Sequence, residues 1–486
     1  MNEISNFRQH AVRALFWSFF QNWGGRALGM IVFVLLARLV SPAEFGIASS
    51  AFLLLNLLML VSEFGFGDAL NQRPGLEAAD VNVPFFLSMG MSIAFACVVA
   101  LTSHEIARQM GVDGLAPYLV ATAAICPFLT LANFQDAMYR RAMMFRPLAM
   151  RTLAGIVAGG VVGIVMALLN FGTWALIGQY AAQVLLNVAW LWSRPVWLPS
   201  FTLRRQSGRQ LSIFGLNIVI QRLIDFVTLR SVDFIILLVY GPASLALFTV
   251  SSRLNLTLLQ LLQSGISGVG TTMLSKIADD IPRLQRLYVR TTSICALFGT
   301  PIFVGLAATA PEVNRIMFGE RWAGAEQVML PILLVGGVYC ILFINGSYLV
   351  ALGKPQTLLW TMVLKAACVL PPLYFIRMNS VSSTAILYCV TLILETPFVF
   401  HLTLRALSLK WSSLARPVGL PLLACFSAFI LVYWLRESQA FHFQNVFLSG
   451  IAYGAIYAAI YLGGIALLAF DLGRTNIYFI RNAIKR

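Results

Sequence analysis

Apolar runs of roughly 20 residues recur from one end of this chain to the other, and they constrain its fold more than any motif does. A helix rises about 1.5 Å per residue, so one such run crosses the ~30 Å of hydrocarbon in a bilayer. Backbone groups in hydrocarbon have no water to bond, which leaves helices or closed barrels as the ways across. Barrel strands would read as alternating segments of about 10 residues, and those are absent. Charged residues make up only 11% of the 486, against about 25% in soluble proteins. The expected fold is all-α and polytopic, with about 14 transmembrane helices at 14–39, 46–66, 82–102, 115–135, 149–169, 172–192, 211–239, 243–265, 289–309, 326–346, 358–376, 382–402, 417–435 and 446–470.

The connections between these spans alternate sides. One set carries 23 Lys and Arg; the other carries 5, at Arg108, Arg315, Arg321, Arg377 and Arg436. Cytoplasmic loops hold the basic excess in membrane proteins, so both termini are expected in the cytoplasm. The net charge of +15 then follows from topology and attraction to anionic lipid, and no nucleic-acid partner is implied. Trp190, Trp192, Trp197 and Trp411 on the inner side, with Trp174 and Trp434 on the outer, read as interfacial belts. The first run holds Gln21, Asn22 and Arg26 and lacks a small-residue cleavage pattern, unlike a removable signal. Residues 474–486 place Ile477, Ile480 and Ile484 on one face of a basic helix suited to the inner leaflet.

Residues 34–59 overlay 234–259 without a gap, so that Pro42-Ala43 meets Pro242-Ala243 and Gln21 meets Gln221. The repeat distance is six spans, an even number, which gives halves of parallel topology, a recurrent transporter arrangement with the site near the midplane. Two pseudo-symmetric six-helix lobes around a central cavity are expected, 1–205 and 206–410, with a pair of C-terminal helices and a basic cytoplasmic tail in 411–486.

Three arginines, Arg26, Arg222 and Arg253, stand near the middle of apolar spans. A cation at mid-bilayer costs about 3 kcal/mol on the insertion scale and persists where it faces protein, water or an anion. Arg26 and Arg253 have no acid one helical turn away in their own spans, whereas Arg222 and Arg230 each precede an Asp, Asp225 and Asp233, by three residues, the spacing of a helical ion pair. Asn22 shares a face with Arg26, Asn56 lies on the second span, and Gln260 and Gln263 continue the Arg253 stripe. Arginine makes bidentate contacts to phosphate and stays charged. The expected substrate-binding set is Arg26, Arg253, Arg222, Asn22, Asn56, Gln260 and Gln263, holding a pyrophosphate or acidic sugar and repelling a cationic drug.

No Walker loop, HExxH, paired CxxC or nucleophile elbow occurs, so no catalytic residues, metal or cofactor are expected. Uphill work would then draw on an ion gradient or the membrane potential, with Glu63, Asp225, Asp233 and Glu395 as candidate coupling acids. Lys365 and Glu395, at similar depth, form a candidate structural ion pair. Pro301 and Pro397 are candidate hinges. The GxxxG spacings Gly25/Gly29 and Gly155/Gly159/Gly163 predict close helix contacts, and the seven cysteines read as small core residues.

The stretches LLARLVSPAEFG (35–46), EFGFGDALNQRP (63–74), FGTWALI (171–177), DFIILLVYGPASLALFTVSSRL (233–254) and FGERWAGAEQVMLPILLVGGV (318–338) together resemble the Wzx-type flippases for lipid-linked oligosaccharides. These belong to the polysaccharide transporters of the multidrug/oligosaccharidyl-lipid/polysaccharide exporter superfamily, and the pattern looks most like the exopolysaccharide and colanic-acid branch. The resemblance implies a fourteen-helix, two-lobe fold in a bacterial inner membrane. It implies alternating-access translocation of an undecaprenyl-pyrophosphate-linked repeat unit for exopolysaccharide, capsule or O-antigen synthesis. It also implies cavity arginines on the first and eighth helices, which Arg26 and Arg253 match. Membrane lipids, a polysaccharide polymerase and glycosyltransferases are the expected partners. A lipid II flippase or a multidrug exporter of the same superfamily is the alternative reading, the latter predicting an acidic cavity. A membrane polymerase or ligase, or a scaffold, is more remote. An enzyme of that kind wants a large outer loop with catalytic groups, and the longest here, 310–325, offers Glu312, Arg315, Glu320 and Arg321.

Overall fold

A computed structural model describes residues 2–62, 78–201, 205–277, 279–438, 445–469 and 471. Among these residues no strand occurs. Twelve helices are long and apolar enough to cross a membrane. Thr173–Ser193 and Arg205–Tyr240 match them in length but carry Gln179, Gln183 and Asn187, and Arg222, Asp225, Arg230 and Asp233. With them, each of the expected spans falls on a helix among the described residues. Glu63 and the segment 474–486 lie outside the described residues.

The chain forms two compact units, Met1–Ala246 and Leu247–Arg486. The first contains α1 (Asn2–Leu39), α2 (Pro42–Ser62), α3 (Asn82–Gln109), α4 (Ala116–Arg141), α5 (Phe145–Leu168), α6 (Thr173–Ser193), α7 (Arg205–Tyr240) and the first turn of α8 (Pro242–Lys276). This unit runs past the lobe boundary expected at 205/206, with α7 lying against α2 and α3.

Within this unit α5 is the hub, flanked by α1 and α6. Glycines make its close approaches possible: a Cβ at Gly159 would stand 2.5 Å from the Gln179 carbonyl oxygen, and one at Gly163 would stand 2.6 Å from Gln179 Cβ. The close contact expected at Gly155/Gly159/Gly163 is therefore present, with the polar Gln179, Gln183, Asn187 stripe of α6 as partner, whereas the one expected at Gly25/Gly29 is not, since a Cβ at Gly29 would meet nothing within 4 Å. Phe85, Phe134 and Met138 form a separate cluster with Trp197. Trp197 is thus a core residue and not an interfacial one. The chain after α6 folds back, and Gln135 Nε2 donates to the Trp197 carbonyl, holding the indole against Phe85.

The repeat is visible in local geometry. The Phe45 N–H donates to the Ser41 carbonyl at 2.9 Å and the Leu245 N–H to the Gly241 carbonyl at 3.2 Å, 200 positions apart in each atom pair. Burial alternates identically over 41–50 and 241–250. Gly46 lets these two corners touch, since a Cβ there would overlap the backbone of Pro242.

The second unit holds the rest of α8 with α9 (Ile281–Ala308), α10 (Ala325–Ala351), α11 (Pro355–Phe375), α12 (Val381–Ala406), α13 (Ser412–Glu437) and α14 (Val446–Leu468). α9 packs between α10 and α13. It loosens into one π turn, Cys295–Gly299, just before Pro301. Proline has no N–H to give the carbonyl four residues back, here Leu297, and the Tyr461 hydroxyl of α14 donates to that oxygen at 2.7 Å. Tyr453, Tyr457 and Tyr461 recur every fourth residue and bury one face of α14 against Ala424, Cys425 and Ala428 of α13 and Val304 and Ala308 of α9. All seven cysteines are free, with Cys126, Cys295, Cys340, Cys389 and Cys425 buried.

Candidate substrate site

In the first unit the candidate residues start on α1. At 100° per residue, Asn22, Arg26 and Gly29 fall within roughly 60°, and the exposed apolar residues Phe20, Trp23, Ile31 and Leu35 lie on the other side. Gly25, beside them, packs on Thr152 and Ile156 of α5, whereas a Cβ at Gly29 would meet nothing within 4 Å. The polar face of α1 therefore runs from a packed edge into open space. Arg26 lies on that face, half-buried. Its Nη1 is buried and has no hydrogen-bond partner among the described residues. A buried guanidinium nitrogen left unbonded is costly, and an anion entering beside Gly29 would remove that cost. One turn earlier, Gln21 Nε2 donates to Thr152 Oγ1 at 3.1 Å and fixes the face of α1 that meets α5.

The other expected residues of this unit are placed less uniformly. Asn56 is exposed, and its Nδ2 donates to the Phe52 carbonyl at 2.7 Å, leaving the amide oxygen outward. Arg222 and Asp225 are half-buried on α7. Arg230 donates to Asp233 at 2.9 Å, the i,i+3 pair that the spacing predicts, with Asp233 buried.

In the second unit α8 has two distinct sides. Ser251, Leu254 and Asn255 are buried; Ser251 Oγ donates to the Ala325 carbonyl at 2.8 Å, and Asn255 lies against Gly336 of α10. Arg253, Leu256, Gln260 and Gln263 are exposed on the side away from these contacts. They lie within ~80° of one another at 100° per residue. The stripe read from sequence is therefore a continuous accessible face carrying one cation and two amides.

Glu395 of α12 is 3% exposed. The Tyr339 hydroxyl donates to its Oε1, and its Oε2 has no hydrogen-bond partner among the described residues. Lys365 Nζ stands 5.3 Å from the centroid of the same tyrosine ring. Lys365 and Glu395 thus converge on Tyr339, which the sequence did not mark, because 56 residues separate Tyr339 from Glu395. Two further ionic clusters were not anticipated. Arg436 pairs with buried Glu312, which also accepts from Ser449 at 2.8 Å. Asp136 takes Arg140 and, at 2.8 Å, Arg151. In the segment between α9 and α10, Arg315 pairs with Glu320 at 3.0 Å. No group of His, Cys, Asp and Glu suited to a metal occurs among the described residues.

Comparison with known proteins gives the family and the fold. A family model described as "Polysaccharide biosynthesis protein" matches residues 35–327. The chain is 23% identical over 448 residues to the succinoglycan biosynthesis transport protein ExoT of Rhizobium meliloti (strain 1021), covering 92% of this chain and 90% of that one. It is 20% identical over 328 residues to the lipopolysaccharide biosynthesis protein WzxC of Escherichia coli (strain K12), covering 67% and 66%. Among solved structures, the lipid II flippase MurJ in an inward closed conformation matches with a TM-score of 0.71 at 14% identity, over 93% of this chain and 98% of that one. An inward-facing multidrug resistance MATE family transporter of the MOP superfamily matches with a TM-score of 0.60 at 12% identity, over 79% and 94%. At these identities the structural likeness is one of fold.

Proposed function

This chain belongs to the polysaccharide biosynthesis protein family, a multi-pass membrane transport protein by its helices and its relatives, and from that premise we propose that it flips an undecaprenyl-pyrophosphate-linked oligosaccharide from the inner to the outer leaflet of a bacterial inner membrane. The observation that carries the reading is Arg26, a cation inside an apolar span with a buried, unbonded Nη1 beside open space. Arg253, on the accessible face of α8, supplies a second cation, and Arg222 a third. Asn22, Asn56, Gln260 and Gln263 offer amides to sugar hydroxyls. A cationic set suits pyrophosphate and disfavours the cationic drugs of a multidrug exporter. Transport follows by alternating access, with the cargo bound more tightly in one state than in the other at each stage. The termini lie in the cytoplasm, as the 23-to-5 distribution of basic residues favours. Glu395 is the preferred coupling acid, since it is buried and keeps one oxygen unbonded.

The test uses purified protein in liposomes carrying undecaprenyl-pyrophosphate-linked oligosaccharide, with lipid II as a second cargo. Sugar reaching the outer leaflet is read with an impermeant probe. Wild type moves the oligosaccharide, and Arg26→Ala/Arg253→Ala abolishes movement at normal protein levels. Intact transport in the double variant removes the site assignment, and preference for lipid II overturns the cargo.

A further inference from the structure

Away from the residues assigned to cargo, the second unit contains a cavity of about 480 Å³ where the start of α9, the start of α13 and the residue Asp471 after α14 come together. That volume lies in the range of small-ligand sites, about 300–1,000 Å³. Its charged lining is Arg286, Arg290, Arg416 and the single acid Asp471. Its apolar lining is Val289, Leu409 and Pro417. We propose that it is a binding site for the phosphate headgroup of an anionic phospholipid, with the acyl chains running down the outside of α13.

Three features converge on that ligand. The cavity is built and not merely a gap between side chains. Just past the end of α12, Ser408 is held at φ +54° in the left-handed region that glycine usually fills. Gln285 Nε2 caps this turn by donating to the Leu407 carbonyl at 2.7 Å, while the Leu409 N–H returns to the Leu404 carbonyl at 2.8 Å. This fixes Leu409 in the wall. Second, the charge of Arg416 is only weakly committed. Asp471 reaches Arg416 only at 3.9 Å with both side chains mostly exposed, a pair worth little, so an incoming phosphate displaces it readily. The cavity also opens at the N-terminal turn of α13, which holds no acidic residue of its own and lines the cavity with Ser413.

Third, the surroundings suit a lipid better than a free ion. Trp411, at the same helix start, is 48% exposed, as befits a residue at headgroup level. Leu423 and Ile430 follow Arg416 at intervals of seven residues on one face of α13 and are 62% and 64% exposed. A headgroup on Arg416 therefore has an apolar track beneath it. All three arginines lie in the N-terminal turns of α9 and α13, on the side that the charge distribution gives to the cytoplasm. Basic pockets between helices on that side commonly take acidic headgroups.

The experiment measures binding to purified full-length protein in neutral detergent, with phosphatidylglycerol, phosphatidylcholine, inorganic phosphate and undecaprenyl pyrophosphate as separate probes, by native mass spectrometry and thermal shift. Phosphatidylglycerol should bind and stabilise, with an affinity that falls as salt rises. Arg286→Gln/Arg416→Gln replaces two exposed side chains and should weaken it about thirty-fold, at roughly tenfold or less per arginine. Asp471→Asn removes the competing carboxylate and should tighten it several-fold. Equal binding of phosphatidylcholine would overturn the headgroup assignment, and binding of inorganic phosphate as tight as phosphatidylglycerol would overturn the lipid. Tighter binding of undecaprenyl pyrophosphate, lost in the same variant, would make this a cargo site instead. Unchanged phosphatidylglycerol binding in a folded double variant would remove the cavity from consideration.

Discussion

Gly159→Ala tests whether the contact between α5 and α6 is as close as described. The added methyl group would stand 2.5 Å from the Gln179 carbonyl oxygen, 2.9 Å from Gln183 Cβ and 3.3 Å from Gln183 N. Carbon atoms normally keep about 3.5 Å or more from such neighbours. The helices must therefore part by roughly 1 Å, because the first obstacle is backbone and cannot rotate away. That separation also loosens Gly155 against Asn187 and Gly163 against Gln179. A gap of 0.5–1 Å forfeits about a quarter to a half of the dispersion attraction at each contact. Overpacking of this kind costs about 1–3 kcal/mol. At about 2–4 °C per kcal/mol in a unit of this size, the midpoint of thermal unfolding should fall by about 5 °C. The assay heats purified protein in detergent and measures the monodisperse fraction by size exclusion. Gly29→Ala is the control. Its Cβ meets nothing within 4 Å, and alanine is the better helix residue by about 0.5–1 kcal/mol, so its midpoint should hold or rise. If Gly159→Ala unfolds with or above wild type, the close-packing argument is refuted. If Gly29→Ala falls as far, the open space beside Arg26 is refuted with it.

Three further outcomes are expected. Glu312→Ala should destabilise by about 3–5 kcal/mol, since it leaves Arg436 partly buried without its partner; Glu312→Ala/Arg436→Met should recover much of that, and denaturant midpoints read both. Glu395→Gln should fold normally but lose any dependence of flipping on an imposed proton gradient, and persistence of that dependence would exclude Glu395 as the coupling acid. Tyr461→Phe should cost about 1–3 kcal/mol by stranding the Leu297 carbonyl. In a Pro301→Ala background, where a backbone N–H becomes available to that carbonyl, the same change should cost much less.

What the sequence reveals and what it hides divide along a physical line. Helix number and position follow from apolar run length, a local property, so α1 through α14 were legible even where Arg222 or Gln183 interrupts the run. The repeat was legible because the offset of 200 residues preserves both turn geometry and burial around Pro42 and Pro242. The break in α9 was legible at Pro301, and the exposed Arg253 stripe at its helical spacing. Partners far apart in sequence were not. Nothing in local pattern joins Arg436 to Glu312 across 124 residues or draws Tyr339 between Lys365 and Glu395. Trp197 looked interfacial because it falls in a connection between spans, yet one amide from Gln135 turns it into the core.

The hydroxyl of Tyr461 has a consequence for how the protein is made. It lies 164 residues downstream of the carbonyl that it satisfies. Ribosomes add about 5–20 residues per second, so α9 leaves the translocon roughly 10–30 s before α14 exists to complete it. During that interval the π turn beside Pro301 carries an oxygen with no helical donor, in a setting where an unbonded carbonyl is costly. The second unit is finished only when α14 arrives. A nonsense mutation within α14 therefore leaves an upstream helix incomplete, a lesion that membrane quality control can detect in a chain already long inserted.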